Sequence, residues 1–314
     1  MRAAVRRFLA TAGVVDKADA VAVACSGGAD SLALAAGTVH CAGKLGLAVH
    51  GLVVDHQLQP DSARVAQAAA QALRQLGCAA VRVLQATVEG PGGPEAAARR
   101  GRYAALRAAA PPGALVLLGH TLDDQAETVL LGLGRGSGPR SVAGMRELDP
   151  PWGRPLLGVR RAVTAAACAA LGLVPWVDPH NADPRFQRVR LRTEVLPLLE
   201  EVLAGGVAPA LARTARQLQE DLDVLDEQAC ALLAAARRDR DLDVAALAPA
   251  PTALRRRVLR RWLLAAGVSE LTDAHLRAAD DLIGRWSGQG ALALPGALEL
   301  LRAQGRLRVS NVPG

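Results

Sequence analysis

The sequence predicts an α/β protein with a doubly wound parallel sheet and a second, mainly helical C-terminal domain. Short apolar segments alternate with longer helical segments between residues 20 and 133, as in βα units joined by right-handed crossovers. Polar, glycine-containing or acidic segments follow three of the predicted strands, at the sheet edge where such folds bind ligands. After residue 134 the alternation stops.

The first part of the chain is predicted to contain four strands and four helices, after an amphipathic opening helix. The strands are short and apolar, as expected for a sheet covered on both faces. Pro94 suits the first turn of one helix. The predicted strands are residues 20–24, 47–55, 80–85 and 115–118, and the predicted helices are residues 31–44, 61–76, 94–109 and 121–133.

The second part begins with a change of pattern after Gly134. A glycine-rich segment, RGSGPRSVAGM, precedes a predicted helix at 160–171, and the turn-rich, then arginine-rich segment VDPHNADPRFQRVRLR leads into a helix at 194–203. Glycines at 205 and 206, with Pro209, predict a domain boundary, so we expect domains at 1–205 and 206–314. The second domain is predicted to contain helices at 210–238, 254–266 and 273–286, then short strands in the tail.

Composition narrows the class of protein. The 314 residues are 51% hydrophobic, and the formal net charge of +7 favours an anionic partner such as nucleic acid. Arginine-rich composition is also typical of GC-rich genomes, so the net charge alone does not establish that the partner is nucleic acid. Five widely spaced cysteines without a CxxC pair argue against a disulfide framework, a zinc site or an iron–sulfur site. We expect no membrane span and no signal peptide, hence a cytoplasmic location.

The segment SGGADS follows the first predicted strand and has the character of an anion site. Glycines at 27 and 28 allow positive φ and leave backbone N–H groups uncovered, and the next helix adds its N-terminal dipole. The hydroxyls of Ser26 and Ser31 are further donors. Asp30 would repel phosphate unless a cation lay between them, which suggests Mg²⁺. An alternative is a simple strand-to-helix turn, with Asp30 and Ser31 as capping residues.

The segment GHTLDDQAET follows the fourth predicted strand. On a helix starting near Thr121, His120, Asp124 and Glu127 lie near one face, at i, i+4 and i+7. Their side chains suit Mg²⁺ or a cationic substrate. The alternative is structural, because Thr121 and Asp124 have the spacing of a capping box and acidic residues favour a first helical turn.

These motifs resemble known families. SGGADS is similar to the pyrophosphate loop of the N-type ATP pyrophosphatases, the PP-loop superfamily with the adenine nucleotide alpha-hydrolase-like fold, which cleave ATP between the α- and β-phosphates. Over residues 20–203 the chain resembles the tRNA(Ile)-lysidine synthetase family. The motifs that carry this second resemblance occur in the order PEAAARRGRY, GHTLDDQAET, RGSG, RPLL, DPHNADPRFQR and RLRTEVLPLL.

The second resemblance implies a tRNA-modifying ligase. Such enzymes use ATP to adenylate the C2 oxygen of the wobble cytidine in the CAU anticodon of tRNA(Ile). The ε-amine of free L-lysine then displaces AMP, and the modified tRNA reads AUA. The resemblance thus implies ATP and Mg²⁺, L-lysine and tRNA(Ile) as ligands, with a catalytic domain at 1–205 and a tRNA-binding domain at 206–314. A homodimer is left open.

The same resemblance implies roles for individual residues. The ATP-binding set is Ser26, Gly27, Gly28, Ala29, Asp30, Ser31 and His56, with Asp30 also at the metal. The lysine-binding pair is Asp124 and Glu127, and the catalytic set is Asp30, Arg99, Arg102 and His120. The tRNA-binding candidates are Arg135, Arg140, Arg188, Arg190 and Arg192, extended by Arg255, Arg256, Arg257, Arg260 and Arg261. For any single arginine, a solvated helix face is the alternative interpretation.

The chain departs from the family pattern at three positions, where Val53, His180 and Val189 replace residues usual in the family. These departures concern contacts with RNA or lysine. Three other functions stay open at this point. They are a tRNA thiolase of the same superfamily, an amide-forming synthetase such as that for NAD, and a nucleotide-binding module without catalysis.

Overall fold

The computed structural model describes residues 1–13, 18–55, 57, 61–86, 93–136 and 138–311, without the side chains of residues 94–96. The chain divides into two compact units, Met1–Arg216 and Gln217–Gly314. The division falls ten residues inside a long helix, α10, that spans Val207–Ala236. Each unit has its own hydrophobic core.

The first unit is built on a six-stranded sheet. Its strands are β1 (Ala20–Cys25), β2 (Ala48–Asp55), β3 (Ala80–Gln85), β4 (Val116–Leu117), β5 (Leu148–Asp149) and β6 (Trp152–Gly153). They lie in the order β3-β2-β1-β4-β6-β5, and all neighbours are parallel except β5 and β6. The chain starts in the middle of the sheet and winds towards both edges, so the predicted doubly wound parallel sheet is confirmed.

Helices cover both faces of this sheet. The helices of the first unit are α1 (Arg2–Thr11), α2 (Ala29–Gly43), α3 (Ser62–Leu76), α4 (Gly93–Ala109), α5 (Leu122–Arg135), α6 (Pro139–Val142), α7 (Arg161–Ala170), α8 (Gln187–Arg190) and α9 (Leu196–Val202), with a 3-10 helix at Pro179–Ala182 and a π-helical segment at Leu191–Val195. Side chains of α1, α2, α3 and α7 share one core with Val21 and Val23 of β1. Side chains of α4 share the opposite core with Ala22. Because β1 is buried on both faces, all its residues are small or apolar.

The predicted elements of the first unit agree closely with the structure up to residue 135. The third strand has the predicted bounds, Ala80–Gln85, and the other strands and helices differ from prediction by at most two residues at either end. The strands β5 and β6 were not predicted, because a strand of two residues is too short to show a periodic pattern. The arginine-rich segment differs in kind, since the chain is helical from Gln187 onwards rather than from residue 194.

The second unit combines helices with an antiparallel sheet. After the end of α10 come β7 (Arg237–Arg238), β8 (Asp241–Asp243), α11 (Val244–Leu247), α12 (Thr252–Ala265), α13 (Asp273–Gly284), β9 (Leu292–Leu294), β10 (Leu298–Ala303) and β11 (Arg306–Asn311). The sheet order is β7-β8-β11-β10-β9. Leu259 and Leu263 of α12 pack in one core with Leu300 and Leu307 of the sheet. The three long helices and the tail strands were predicted, whereas α11, β7 and β8 were not, and β7 takes the last two residues of the helix predicted at 210–238.

Three arginines of α12 take part in ion pairs within the second unit. Arg255 donates to Asp280 of α13 at 2.7 Å, and its side chain is largely buried. Arg256 lies 3.6 Å from the same carboxylate, and Arg257 lies 3.3 Å from Asp226 of α10. These three arginines therefore stabilise the second unit through ion pairs. This corrects the expectation that the basic segment of α12 is an open surface for tRNA.

Helix length also bears on the question of a membrane. No single helix in the described ranges is long and apolar enough to cross a bilayer, although the bent pair Gln187–Val202 and Val207–Ala236 would pass the test of length and composition if taken together.

Gly119 follows β4 and lies against the backbone that enters α2. A Cβ atom at this position would stand 3.1 Å from backbone atoms of Asp30 and Ser31, closer than ordinary packing allows. We expect Gly119→Ala to lower the free energy of unfolding by about 1–3 kcal/mol, because backbone atoms cannot rotate away as a side chain can. Chemical denaturation measures the change. Gly158→Ala is the matched control, because its Cβ would meet nothing within 4 Å, and equal stability of the two variants would refute this packing argument.

Candidate functional site

The loop after β1 leads directly into the N-terminus of α2. Gly27 has φ of +85°, a conformation that favours glycine. Gly28 instead has φ of −74° and is the N-cap residue, so the expectation of positive φ is wrong for this glycine. The helix begins at Ala29, two residues earlier than predicted. Asp30 and Ser31 therefore lie in its first turn, where the helix dipole favours an anion.

The hydroxyl of Ser31 holds this loop together. It donates to the carbonyl oxygen of Gly28 at 2.9 Å and accepts from the backbone N–H of Ser26 at 3.2 Å. Ser31 is buried, whereas Ser26 is exposed. Of the two serines, Ser26 thus has the more accessible hydroxyl for a ligand, and Ser31 shapes the loop.

A segment far along the chain supports the same loop. The backbone N–H of Trp176 donates to the carbonyl oxygen of Gly27 at 3.0 Å. A Cβ atom on Gly27 would stand 3.8 Å from the Cβ of Trp176 and 3.4 Å from that of Ala69 in α3. The sequence contains no local signal for this contact, which joins residues about 150 positions apart.

The first turn of α5 forms a capping box. Asp124 Oδ2 accepts from the backbone N–H of Thr121 at 2.7 Å and from its hydroxyl at 2.8 Å. The structural interpretation of Asp124 is therefore confirmed, and it leaves the Oδ1 atom for other contacts. Neighbouring Asp123 accepts from the backbone N–H of Arg161 at 2.7 Å and from Nε of Arg160 at 3.0 Å. These bonds tie the start of α5 to the start of α7.

Three carboxylates and three guanidinium groups form one network, here named the carboxylate–arginine cluster. Its members are Asp30, Asp124, Glu127, Arg161, Arg188 and Arg192. Glu127 is fully buried, and Arg192 donates to its Oε1 atom from Nε at 2.9 Å. Arg188 Nη1 lies 3.7 Å from Glu127 Oε2. The two arginines reach the same carboxylate because they are four residues apart on a helix.

Arg161 joins the two ends of this cluster. Its Nε atom donates to Asp30 Oδ2 at 3.3 Å, and its Nη2 atom donates to Asp124 Oδ1 at 2.5 Å. Its Nη1 atom lies 3.5 Å from Glu127 Oε1. Thr164, one turn later on α7, donates its hydroxyl proton to the other oxygen of Asp30. The cluster thus connects the loop after β1, predicted to bind phosphate, to α5.

The acidity of the carboxylates follows from these surroundings. Burial raises the pKa of Asp30 above its usual value, despite the hydrogen bond from Thr164 and the charge of Arg161. Burial also opposes ionisation of Asp124, but Arg161 and the hydrogen bonds from Thr121 outweigh it and hold that pKa below its usual value. The pKa of Asp30 is thus raised and that of Asp124 lowered, although both carboxylates contact Arg161.

His120 and Arg102 present buried nitrogen atoms without partners in the described part of the chain. These atoms are Nδ1 of His120 and Nε of Arg102. Burial lowers the pKa of His120 to about 3, with Arg154 acting in the same direction and Asp124 opposing them. Arg99 is exposed and donates to the hydroxyl of Tyr103 at 3.3 Å. The imidazole of His120 is therefore neutral near pH 7, and its Nδ1 atom is buried with no hydrogen-bond partner among the described residues.

The predicted tRNA-binding arginines divide into an exposed set and a set within the cluster. Arg135 and Arg140 are exposed at and just after the C-terminal end of α5, and Arg190 forms an exposed ion pair with Glu194 at 2.9 Å. Arg188 and Arg192 belong to the carboxylate–arginine cluster, in contrast to the open tRNA surface expected for them. The predicted nucleotide contact His56 lies outside the described residues.

Sequence reasoning missed Arg160, Arg161 and Thr164. A signal was available, because α7 begins with two arginines and has no acidic residue in its first turn. Cations are unfavourable at a helix N-terminus. Such a pair indicates that carboxylates from elsewhere meet the helix start, although it cannot indicate which ones.

Asp30 offers a single carboxylate to a metal ion. Among the described residues, no group of three or more His, Cys, Asp or Glu side chains is arranged to hold a metal. Mg²⁺ is often held by one or two carboxylates together with substrate phosphates. One aspartate beside a phosphate-binding loop fits that mode of binding.

Comparison with known proteins places these features in context. A family model described as a PP-loop domain matches residues 1–199, and one described as a TilS substrate binding domain matches residues 242–308. The fold is also that of the U34-tRNA thiolase NcsA from Methanococcus maripaludis, with a TM-score of 0.58, 18% identity, and coverage of 70% of this chain and 78% of that chain.

Two relatives are similar over most of their length. A tRNA(Ile)-lysidine synthase from Mycolicibacterium paratuberculosis is 61% identical over 276 residues, which cover 88% of this chain and 84% of the relative. That from Nocardia farcinica is 58% identical and covers 98% of this chain and 96% of the relative. The chain belongs to the tRNA(Ile)-lysidine synthase family.

Proposed function

We propose that this protein is an ATP-dependent ligase that joins the ε-amine of free L-lysine to C2 of the wobble cytidine in the CAU anticodon of tRNA(Ile). One observation carries the proposal beyond family membership. A single guanidinium, that of Arg161, contacts both Asp30 of the phosphate-binding loop and Asp124 of α5. An anion site and carboxylates suited to a cationic substrate are therefore adjacent.

ATP binds at the loop in this proposal. The amides around Gly27 and Gly28 and the start of α2 hold the β- and γ-phosphates, with the hydroxyl of Ser26 as a further donor. The C2 oxygen of the cytidine attacks the α-phosphorus. The bond from that phosphorus to the bridging oxygen breaks, and pyrophosphate leaves. The loop needs no lysine, because it holds the leaving pyrophosphate rather than a transferred γ-phosphoryl group.

Asp30 would hold Mg²⁺ together with the phosphates. When bound, the ion neutralises negative charge on the departing pyrophosphate. Thr164 and Arg161 already contact this carboxylate, and they keep it oriented towards the loop. The role of the protein in this step is thus to position one carboxylate beside the uncovered amides.

Asp124 and Glu127 bind the charged groups of lysine. A carboxylate also serves the chemistry, because the ε-ammonium must lose a proton before its nitrogen atom attacks C2 and AMP leaves. Asp124 stays ionised at neutral pH since its pKa is held low. Lysine must first replace arginine contacts, because both carboxylates are already paired.

His120, Arg99 and Arg102 act on the adenylated intermediate in this proposal. The arginines stabilise phosphate charge through charge-assisted hydrogen bonds. Neutral His120 offers its unpartnered Nδ1 atom to a substrate group. Its low pKa suits a role as a hydrogen-bonding partner rather than as an acid at neutral pH.

The tRNA is bound by both parts of the chain. We assign catalysis to residues 1–205 and tRNA binding to residues 206–314, supported by the match of residues 242–308 to a substrate-binding domain. Arg135, Arg140 and Arg190 contact the phosphate backbone, which sets the register of the RNA without reading its bases. Arg188 and Arg192 contribute through the carboxylate–arginine cluster. The reaction takes place in the cytoplasm.

A lysine-transfer assay tests the proposed function. The full chain with ATP, Mg²⁺, labelled L-lysine and tRNA(Ile) bearing the CAU anticodon should incorporate label into RNA and release AMP and pyrophosphate. The methionine tRNAs with the same anticodon are the control. Absence of incorporation, together with sulfur transfer to another tRNA, would establish the thiolase alternative instead.

Asp124→Asn separates lysine binding from ATP binding. The amide oxygen still accepts from Thr121, so the helix cap is kept while the charge is lost. We expect the KM for lysine to rise about tenfold or more, in line with the loss of a charged hydrogen bond, and the KM for ATP to stay within about twofold. Asp123→Asn is the matched control, since that carboxylate pairs with Arg160 and the backbone of Arg161. Equal increases in both KM values would show that Asp124 acts through folding or through the nucleotide.

His120 makes stability depend on pH. Its folded-state pKa of about 3 lies below the unfolded value of about 6.5, so the imidazole is neutral in both states above pH 6.5 and protonates first in the unfolded chain as pH falls. From about pH 7 to about pH 5.5, the wild type should lose about 1.4 kcal/mol of unfolding free energy that His120→Gln does not lose. Urea denaturation measures this difference. An unchanged pH dependence in His120→Gln would refute the assignment.

A further inference from the structure

We propose that Arg161 couples the two substrate sites, so that nucleotide binding at the loop raises the affinity of the protein for lysine. The inference rests on the proposed function. Its basis is that Arg161 contacts carboxylates assigned to different substrates, namely Asp30 on the nucleotide side and Asp124 and Glu127 on the lysine side. It acts as a positioning residue, since it works through these carboxylates.

The lysine-side carboxylates have no oxygen atom left over in the structure. Asp124 uses Oδ2 for the capping box and Oδ1 for Arg161 at 2.5 Å. Glu127 is fully buried, and its Oε1 atom accepts from Arg192 at 2.9 Å and lies 3.5 Å from Arg161. An ammonium group of lysine can approach these carboxylates only when a guanidinium moves aside.

Arg161 is the member of the cluster placed to move in response to nucleotide. Of the three cluster arginines, Arg161 is the one that contacts Asp30 of the phosphate-binding loop. Its side chain is 27% exposed, less than those of Arg188 at 42% and Arg192 at 31%, so its position between the carboxylates singles it out rather than its exposure. Arg192 forms its shortest contact with Glu127, away from the loop.

Charge balance sets the direction of the coupling. The cluster holds three carboxylates and three guanidinium groups, so its formal charge is zero. Mg²⁺ with ATP adds net negative charge at the loop, and phosphate oxygens accept charge-assisted, often bidentate hydrogen bonds from a guanidinium, as carboxylates do. As Arg161 turns to the phosphates, Asp124 and Glu127 lose a counter-ion in a poorly solvated place. A cationic ligand then binds them more tightly, because an unpaired buried carboxylate is costly.

Two other roles for Arg161 predict different binding. If Arg161 only clamps α5 to α7, its loss lowers thermal stability and leaves the effect of nucleotide on lysine binding intact. If it binds the carboxylate of the substrate lysine directly, its loss weakens lysine binding with or without nucleotide. In the coupling role its loss tightens lysine binding without nucleotide, because a competing cation has gone.

The test measures L-lysine binding to the full chain by calorimetry, with and without Mg²⁺ and the non-hydrolysable analogue α,β-methylene ATP. In the wild type, nucleotide should raise lysine affinity about tenfold, and lysine should raise nucleotide affinity by the same factor. In Arg161→Met, lysine affinity without nucleotide should rise, and the nucleotide effect should fall below about twofold. Arg161→Lys, which keeps the charge without the planar fork, should retain part of the effect.

Arg160→Met is the matched control, because the neighbouring arginine pairs with Asp123, outside the cluster, and the full nucleotide effect should remain. Equal lysine affinity with and without nucleotide in the wild type overturns the inference, even if Arg161→Met does not fold. Weaker lysine binding by folded Arg161→Met in both conditions also overturns it. The lysine-transfer assay then decides separately whether the proposed function stands.

Discussion

The buried charge of Glu127 is the constraint on which the site depends. A carboxylate with no solvent exposure must be paired with cations, since removing one partner of such a pair costs about 3–5 kcal/mol. No arginine close to it in sequence fills this role. The partners come from α7, from α8 and from the π-helical segment, at positions 161, 188 and 192. The segment from α7 to α9 must therefore fold against α5.

The same constraint explains which features the sequence could predict. Strands such as β3 follow from local alternation of apolar residues, and their bounds were predicted well. The partners of Glu127 depend on whether residues 187–195 form a turn or a helix, and only a helix brings Arg188 and Arg192 to one side. The sequence also could not predict the burial of Glu127, because a glutamate on a polar helix face is expected to be exposed.

The start of α7 shows a local conflict that the tertiary structure compensates. Two arginines oppose the helix dipole there, while Asp123 accepts from the backbone N–H of Arg161 and thus supplies the missing negative charge. Local rules are most often broken at functional sites. The conflict therefore indicates that the guanidinium of Arg161 is kept at this position for its contacts with Asp30 and Asp124, and not for the stability of α7.

In the proposed function the loop holds ATP and makes no contact with the amine of lysine. Selectivity for an amine must then come from the carboxylate–arginine cluster, which lies beside the loop. A neutral cluster accepts a cation only by exchange with a cation already present, so the incoming ammonium competes with a guanidinium. An ammonium is a compact charge, whereas the planar guanidinium of Arg161 spans three carboxylates. In the proposed coupling, exchange becomes favourable when another anion receives the guanidinium, and a polyphosphate at the loop would be that anion.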